Sequence, residues 1–213
     1  MLMRLIFTFI YFSFLLSTLS QTPVPSNVII PTGKTIETRF SAPKDFARED
    51  DLSTTFDNFL RNISLKPANS IVYTFDGKVK QPDDVYDAVL DIDIGKKDLQ
   101  QCADAVMRLR AEYLFANKMF SKIHFNFTNG KKAEFVQYAE GFRFSLKTNN
   151  WVKTAEKDYS YQSFRNYLDL VFNYSGSLSL SRELKPVANI SEIRPGDVFI
   201  KGGSPGHAVM VWM

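Results

Sequence analysis

The chain has 213 residues, with 26 Lys or Arg against 23 Asp or Glu and a formal charge of +3. A balance that flat leaves no dense electrostatic footprint for nucleic acid. With 45% apolar and 23% charged residues, the composition is that of an ordinary globular protein and not of a disordered one. Behind the N-terminal segment, roughly 190 residues suffice for one well-buried domain.

Residues 1–4 form a short basic region, 5–16 are an apolar run, and Ser17, Thr18, Leu19 and Ser20 follow. An apolar run of about 12 residues is short for a bilayer span and suits a signal peptide. Residues 1–20 are therefore expected to be a signal peptide cut after Ser20, with an uncleaved anchor as the alternative. Membrane contact is expected only through this segment before cleavage. Cys102 is the single cysteine, so no intramolecular disulfide forms. An exported chain of this size without disulfides points to the bacterial periplasm or cell envelope. The Asn-x-Ser/Thr sites at Asn62, Asn126, Asn173 and Asn189 are read as chance.

Residues 21–45, rich in Pro, Ser and Thr, read as an extended leader into a single α+β domain over 46–213. Ser53 is the expected cap of a first helix carrying Phe56, Phe59, Leu60 and Ile63 on one face. Residues 71–75 alternate into Asp76-Gly77, a hairpin signal. Residues 89–94 alternate as well and predict a strand ending at Gly95. A strong helix follows, with Asp98 as its expected cap and Leu99, Cys102, Val106, Leu109 and Tyr113 as its stripe. Asp104–Arg108 and Arg108–Glu112 pair opposite charges on another face. Residues 123–127 predict a strand closed by Thr128-Asn129-Gly130. A second long helix runs from about Ser160 to Tyr174 on Phe164, Tyr167, Leu168, Val171 and Phe172. Residues 178–184 fit helix or strand, and helix is preferred.

The C-terminal part reads as turn (Pro195-Gly196-Asp197), strand (Val198-Phe199-Ile200), glycine loop (201–206) and strand (from His207). The sequence stops at Met213 inside an apolar strand, so a C-terminal truncation of the domain is expected.

Three constellations could carry chemistry. Cys102 with His207 offers a nucleophile and a base. A helix N-terminus stabilises a thiolate, and a nucleophilic Cys needs a base within reach, held by a third polar group. The bland alternatives are a small apolar residue packed on the sheet and a strand-edge histidine. Asp91 and Asp93 share one strand face and could bind Ca²⁺ or act as an acid/base pair, but such alternation is more often a solvated face. No metal or other cofactor is expected. The loop at Lys201-Gly202-Gly203-Ser204-Pro205-Gly206 lacks the Lys-Ser/Thr ending of a phosphate loop. Gly203, Ser204 and Gly206 are expected to let a substrate backbone approach.

Pro195-Gly196-Asp197 with its strand, followed by His207-Ala208-Val209-Met210-Val211, resembles the signature of NlpC-type cell-wall cysteine peptidases of the papain-like fold. In that family a Cys at a helix N-terminus precedes both strands. Cys102 and His207 match by type, order and expected element. The longer pattern around Gln101-Cys102-Ala103-Asp104, with Gly202-Gly203-Ser204-Pro205-Gly206-His207 later, closely resembles a family of exported Bacteroidetes proteins, domain of unknown function 4846. That likeness covers roughly residues 45–213. Three departures from the peptidase pattern stand out. Gln101-Cys102-Ala103 replaces an Asp-Cys-Ser trio, a long insertion holds the 161–174 helix, and no third polar residue follows His207. The family likeness implies further strands beyond Met213.

These resemblances imply a papain-like or NlpC-like arrangement, with the Cys helix packed on an antiparallel sheet bearing the His. They also imply a thiol amidase or peptidase acting on peptidoglycan peptides or another envelope substrate. Cys102 would attack, His207 would shuttle the proton, and Gln101 would donate to the oxyanion. The alternative is a non-catalytic envelope module that binds glycan or protein, with Trp151 as the best candidate for sugar stacking.

Overall fold

The computed structural model describes residues 28–48, 55–82 and 85–212. The expected signal peptide, the first part of the expected leader and Ser53 lie outside the described residues.

The described part of the expected leader is folded, not merely extended. Residues 36–39 form a helical turn, α1 (Ile36–Arg39), in which Ile36 and Arg39 are buried. Thr35 caps it reciprocally: its Oγ1 accepts from Thr38 N–H, and its own N–H donates to Thr38 Oγ1 at 3.0 Å. Gly33 lets the preceding loop pass against this turn, because a Cβ there would meet the Thr38 carbonyl oxygen at 2.2 Å. The first expected helix is present as α2 (Phe56–Arg61), capped by Thr55, whose Oγ1 accepts from Asn58 N–H at 3.2 Å.

The predicted strand at 89–94 is absent. Only Leu90 pairs, in an isolated bridge to Leu65, and the remainder of the segment runs on without a sheet neighbour. The hairpin signal at Asp76-Gly77 is met by a tight turn with one bridge, Tyr73 to Val79.

The central helix α3 (Cys102–Ala116) starts later than Asp98. Gln100 adopts a left-handed conformation (φ +65°), which breaks the helical path. Its side chain is tied down by donating to Ile94 O at 2.7 Å and by accepting from Arg108 Nη1. Gln101 is therefore the cap residue and Cys102 the first residue of the helix. Asp104, at the third helical position, accepts Gln101 N–H at 3.0 Å. Val106, Leu109 and Tyr113 bury as the stripe requires, and Ala103, Met107, Ala111 and Leu114 bury with them. Of the two expected ion pairs, Arg108–Glu112 forms, at 2.8 Å.

A 3-10 turn (Phe120–Lys122) leads into β1 (His124–Asn126), which pairs antiparallel with β2 (Lys132–Glu134). A short helix α4 (Phe135–Ala139) and a hairpin of β3 (Phe142–Ser145) and β4 (Asn150–Lys153) follow. Then come α5 (Tyr161–Tyr174), with Phe164, Tyr167, Leu168 and Val171 fully buried, and α6 (Ser177–Glu183). The chain ends in a third antiparallel hairpin, β5 (Val198–Lys201) with β6 (His207–Met210). Each sheet has two strands.

Aromatic packing joins these pieces. Phe115 of α3 stacks on Phe164 of α5 at 4.3 Å between centroids, and Phe135 meets Phe164 edge-on at 5.6 Å. Tyr167 donates its hydroxyl to Ala133 O at 2.8 Å inside this core. α3 packs directly on β6, and α6 lies against both β1 and β5. The architecture is α+β, with one long helix set on an antiparallel hairpin.

Candidate functional site

Cys102 is half-buried at the first position of a 15-residue helix. The pleat of the β5–β6 hairpin decides which side chains meet that helix. Ala208 and Met210 are buried, while Phe199 and Val209 on the opposite face are 60% and 49% exposed. His207 is exposed and shares the face of Val209. The two elements are thus packed together, while neither the Cys102 thiol nor the His207 imidazole hydrogen-bonds to a described residue.

Gln101 is exposed, and its backbone N–H is committed to Asp104. Any donation to a reacting oxygen from this residue falls to its side-chain amide. Asp104 is 8% exposed, and burial pushes its carboxyl up to about 6, against the opposing hydrogen bond from Gln101 N–H.

The glycine loop between β5 and β6 rests on the start of α6. A Cβ on Gly202 would meet Ser181 Oγ at 2.2 Å, and one on Gly206 would meet Ser177 Oγ at 2.0 Å. Ser177 Oγ donates to Gly203 O at 3.2 Å. Two of these glycines therefore seat the loop on a helix, in addition to any room they leave for a ligand. Gly203 has φ +117° with open space around its missing Cβ, and Ser204 is exposed.

Trp151, on β4, is half-buried against Phe127 and Phe144, with ring centroids at 6.3 and 5.5 Å, and its Nε1–H donates to Lys132 O at 3.3 Å. Asp91 and Asp93 are exposed, and Asp93 Oδ1 accepts Gly95 N–H at 2.8 Å. Among the described residues no three His, Cys, Asp or Glu side chains cluster to hold a metal ion. No helix among them is long and apolar enough to cross a membrane.

Two polar groupings escape a linear reading of the sequence. His124 Nε2 lies 3.7 Å from Glu183 Oε1, and Glu183 Oε2 also accepts Asn126 N–H at 3.0 Å, so α6 and β1 are joined through one carboxylate. Their separation along the chain hides the pair. Arg108 is buried and held by Glu112, Gln100 and Asp93 O, and the Tyr161 hydroxyl donates to Glu112 at 2.9 Å. This cluster lines a cleft of about 570 Å³ alongside residues 91–97, the segment that leads into Cys102. The i,i+4 charge spacing signals the Arg108–Glu112 half of it.

The fold and this geometry define an α+β protein whose central helix opens with a half-buried cysteine and packs on a hairpin that carries a histidine. The chain belongs to the family described as domain of unknown function (4846), whose sequence model matches residues 36–213. No curated protein and no solved structure matches it.

Proposed function

We propose that the protein is an exported thiol amidase or peptidase acting on cell-wall peptides, with Cys102 as nucleophile and His207 as base. One observation carries the reading: the helix that opens with Cys102 packs directly on the strand that opens with His207. As the first residue of α3, Cys102 lies beside the helix's first-turn amides, whose dipole favours negative charge on sulfur. Attack of the Cys102 sulfur on an amide carbonyl forms a C–S bond, and the thiol proton passes through His207 to the departing amine as the C–N bond breaks. Water then hydrolyses the thioester and restores the thiol. The exposed Gln101 side-chain amide is the nearest donor in sequence for the oxyanion. His207 shares the exposed face of Val209, opposite the buried Ala208 and Met210, so this role requires the imidazole at the strand end to turn toward Cys102 when substrate binds.

The experiment is alkylation of Cys102 by iodoacetamide at pH 7, together with release of peptides from purified peptidoglycan. The expected result is labelling at least about tenfold faster than a free thiol, slowed by His207→Ala, and peptide release abolished by Cys102→Ser. Labelling no faster than glutathione and indifferent to His207→Ala would sink the proposal. Retention on peptidoglycan without peptide release would favour a binding module.

A further inference from the structure

Among the described residues, the buried guanidinium of Arg39 has no anionic partner. Arg39 is 2% exposed. Its Nε and Nη2 donate to Gly33 O at 2.9 and 2.7 Å, and Nη2 also donates to Lys66 O at 3.2 Å. Among the described residues no carboxylate forms an ion pair with it, and nothing accepts from Nη1. Carbonyl dipoles offset part of the cost of burying a cation, but a charge without a counter-charge stays expensive.

The same residue forms part of the wall of a cleft of about 470 Å³, together with Ala68, Ser70, Ile71, Tyr86 and Asp87. The Tyr86 hydroxyl accepts Val72 N–H at 3.2 Å, which leaves its own proton available to donate. Ser70 spends its proton on Pro67 O at 2.7 Å. Arg39 Nη1 and the Tyr86 hydroxyl keep an uncommitted proton, and the exposed side-chain amide of Asn69 on the same wall is a further donor. Ala68 and Ile71 supply apolar wall. Asp87 on the rim opposes a second negative charge on any ligand, so a single carboxylate fits better than a phosphate dianion.

We propose that this cleft binds a small aliphatic molecule through a carboxylate held by Arg39 Nη1 and the Tyr86 hydroxyl, with its stem against Ala68 and Ile71. The site is independent of Cys102 and His207 and stands or falls apart from any hydrolytic activity.

The probe is butyrate, titrated into the full chain labelled with ¹⁵N in its arginines. Sodium chloride and inorganic phosphate at equal ionic strength serve as comparisons. The Arg39 Nε resonance, assigned with Arg39→Lys, is expected to shift saturably with butyrate and not with chloride. Tyr86→Phe is expected to weaken binding about tenfold through loss of one donor. Ala68→Trp, which puts a bulky ring into the cleft, is expected to abolish it, and the melting temperature of this variant checks that the fold persists. An unresponsive Arg39, a response equal in chloride, tighter binding of phosphate than of butyrate, or binding that survives Ala68→Trp would each overturn the proposal.

Discussion

Asp104→Asn removes the ionisation of a buried carboxyl at the start of α3 while keeping its shape and an oxygen that can accept Gln101 N–H. In the folded chain, burial raises the Asp104 pKa from 3.8 to about 6. The folded protein thus holds this proton more tightly than the unfolded chain. The stability gained is full below about pH 4 and is lost as pH rises through about 6. At about 1.4 kcal/mol per pH unit, the gap between 3.8 and about 6 corresponds to about 3 kcal/mol. Urea unfolding of parent and variant from pH 4 to pH 8 measures it, and every other titrating group cancels in the difference. The two stabilities are expected to diverge between about pH 4 and pH 6, with the Asn variant gaining up to about 3 kcal/mol on the parent by pH 8. A difference between the two proteins that does not change with pH would refute the reasoning. So would a parent that gains on the variant as pH rises.

Gly206→Ala places a Cβ 2.0 Å from Ser177 Oγ and 2.4 Å from Gly203 O, and the expected cost is about 1–3 kcal/mol in thermal unfolding. Adding Ser177→Ala is expected to recover only part of that loss, because the backbone oxygen of Gly203 remains. Tyr167→Phe deletes the 2.8 Å hydrogen bond to Ala133 O in a fully buried setting. It is expected to cost about 0.5–1.5 kcal/mol in urea unfolding, the net worth of one hydrogen bond, because Ala133 pairs with Phe125 in the β1–β2 ladder and its carbonyl keeps that partner.

The parts of the fold legible in the sequence are those whose burial follows a strict period. The α5 stripe of Phe164, Tyr167, Leu168 and Val171 is buried as its spacing dictates. The alternation of Ile123, Phe125 and Phe127 likewise lands inside. Residues 89–94 alternate just as well, yet alternation does not supply a neighbouring strand, and only Leu90 finds one. The β3–β4 hairpin leaves only a weak signal, because Phe142 and Phe144 alternate with Arg143 and Ser145 over just four residues and both phenylalanines are only half-buried. α1 lay hidden in a Pro- and Thr-rich stretch, although Thr35 and Thr38 carry a capping signal at the right spacing. At the site, the order and elements of Cys102 and His207 were readable. The start of α3 was not, because the left-handed turn at Gln100 depends on partners at Ile94 and Arg108. The His124–Glu183 pair depends on tertiary contact alone.

All three hairpins join strands that are near neighbours in sequence, closed by short loops. The packing of α3 on β6 is different, since it closes a loop of about 100 residues. Loop-closure entropy makes that about 3 kcal/mol more costly than closing a five-residue turn. Hairpins and helices are therefore expected to form early and the α3–β6 contact late. The helix that opens with Cys102 and the strand that opens with His207 are expected to meet only after the intervening chain has folded, so neither half expressed alone is expected to assemble the candidate site.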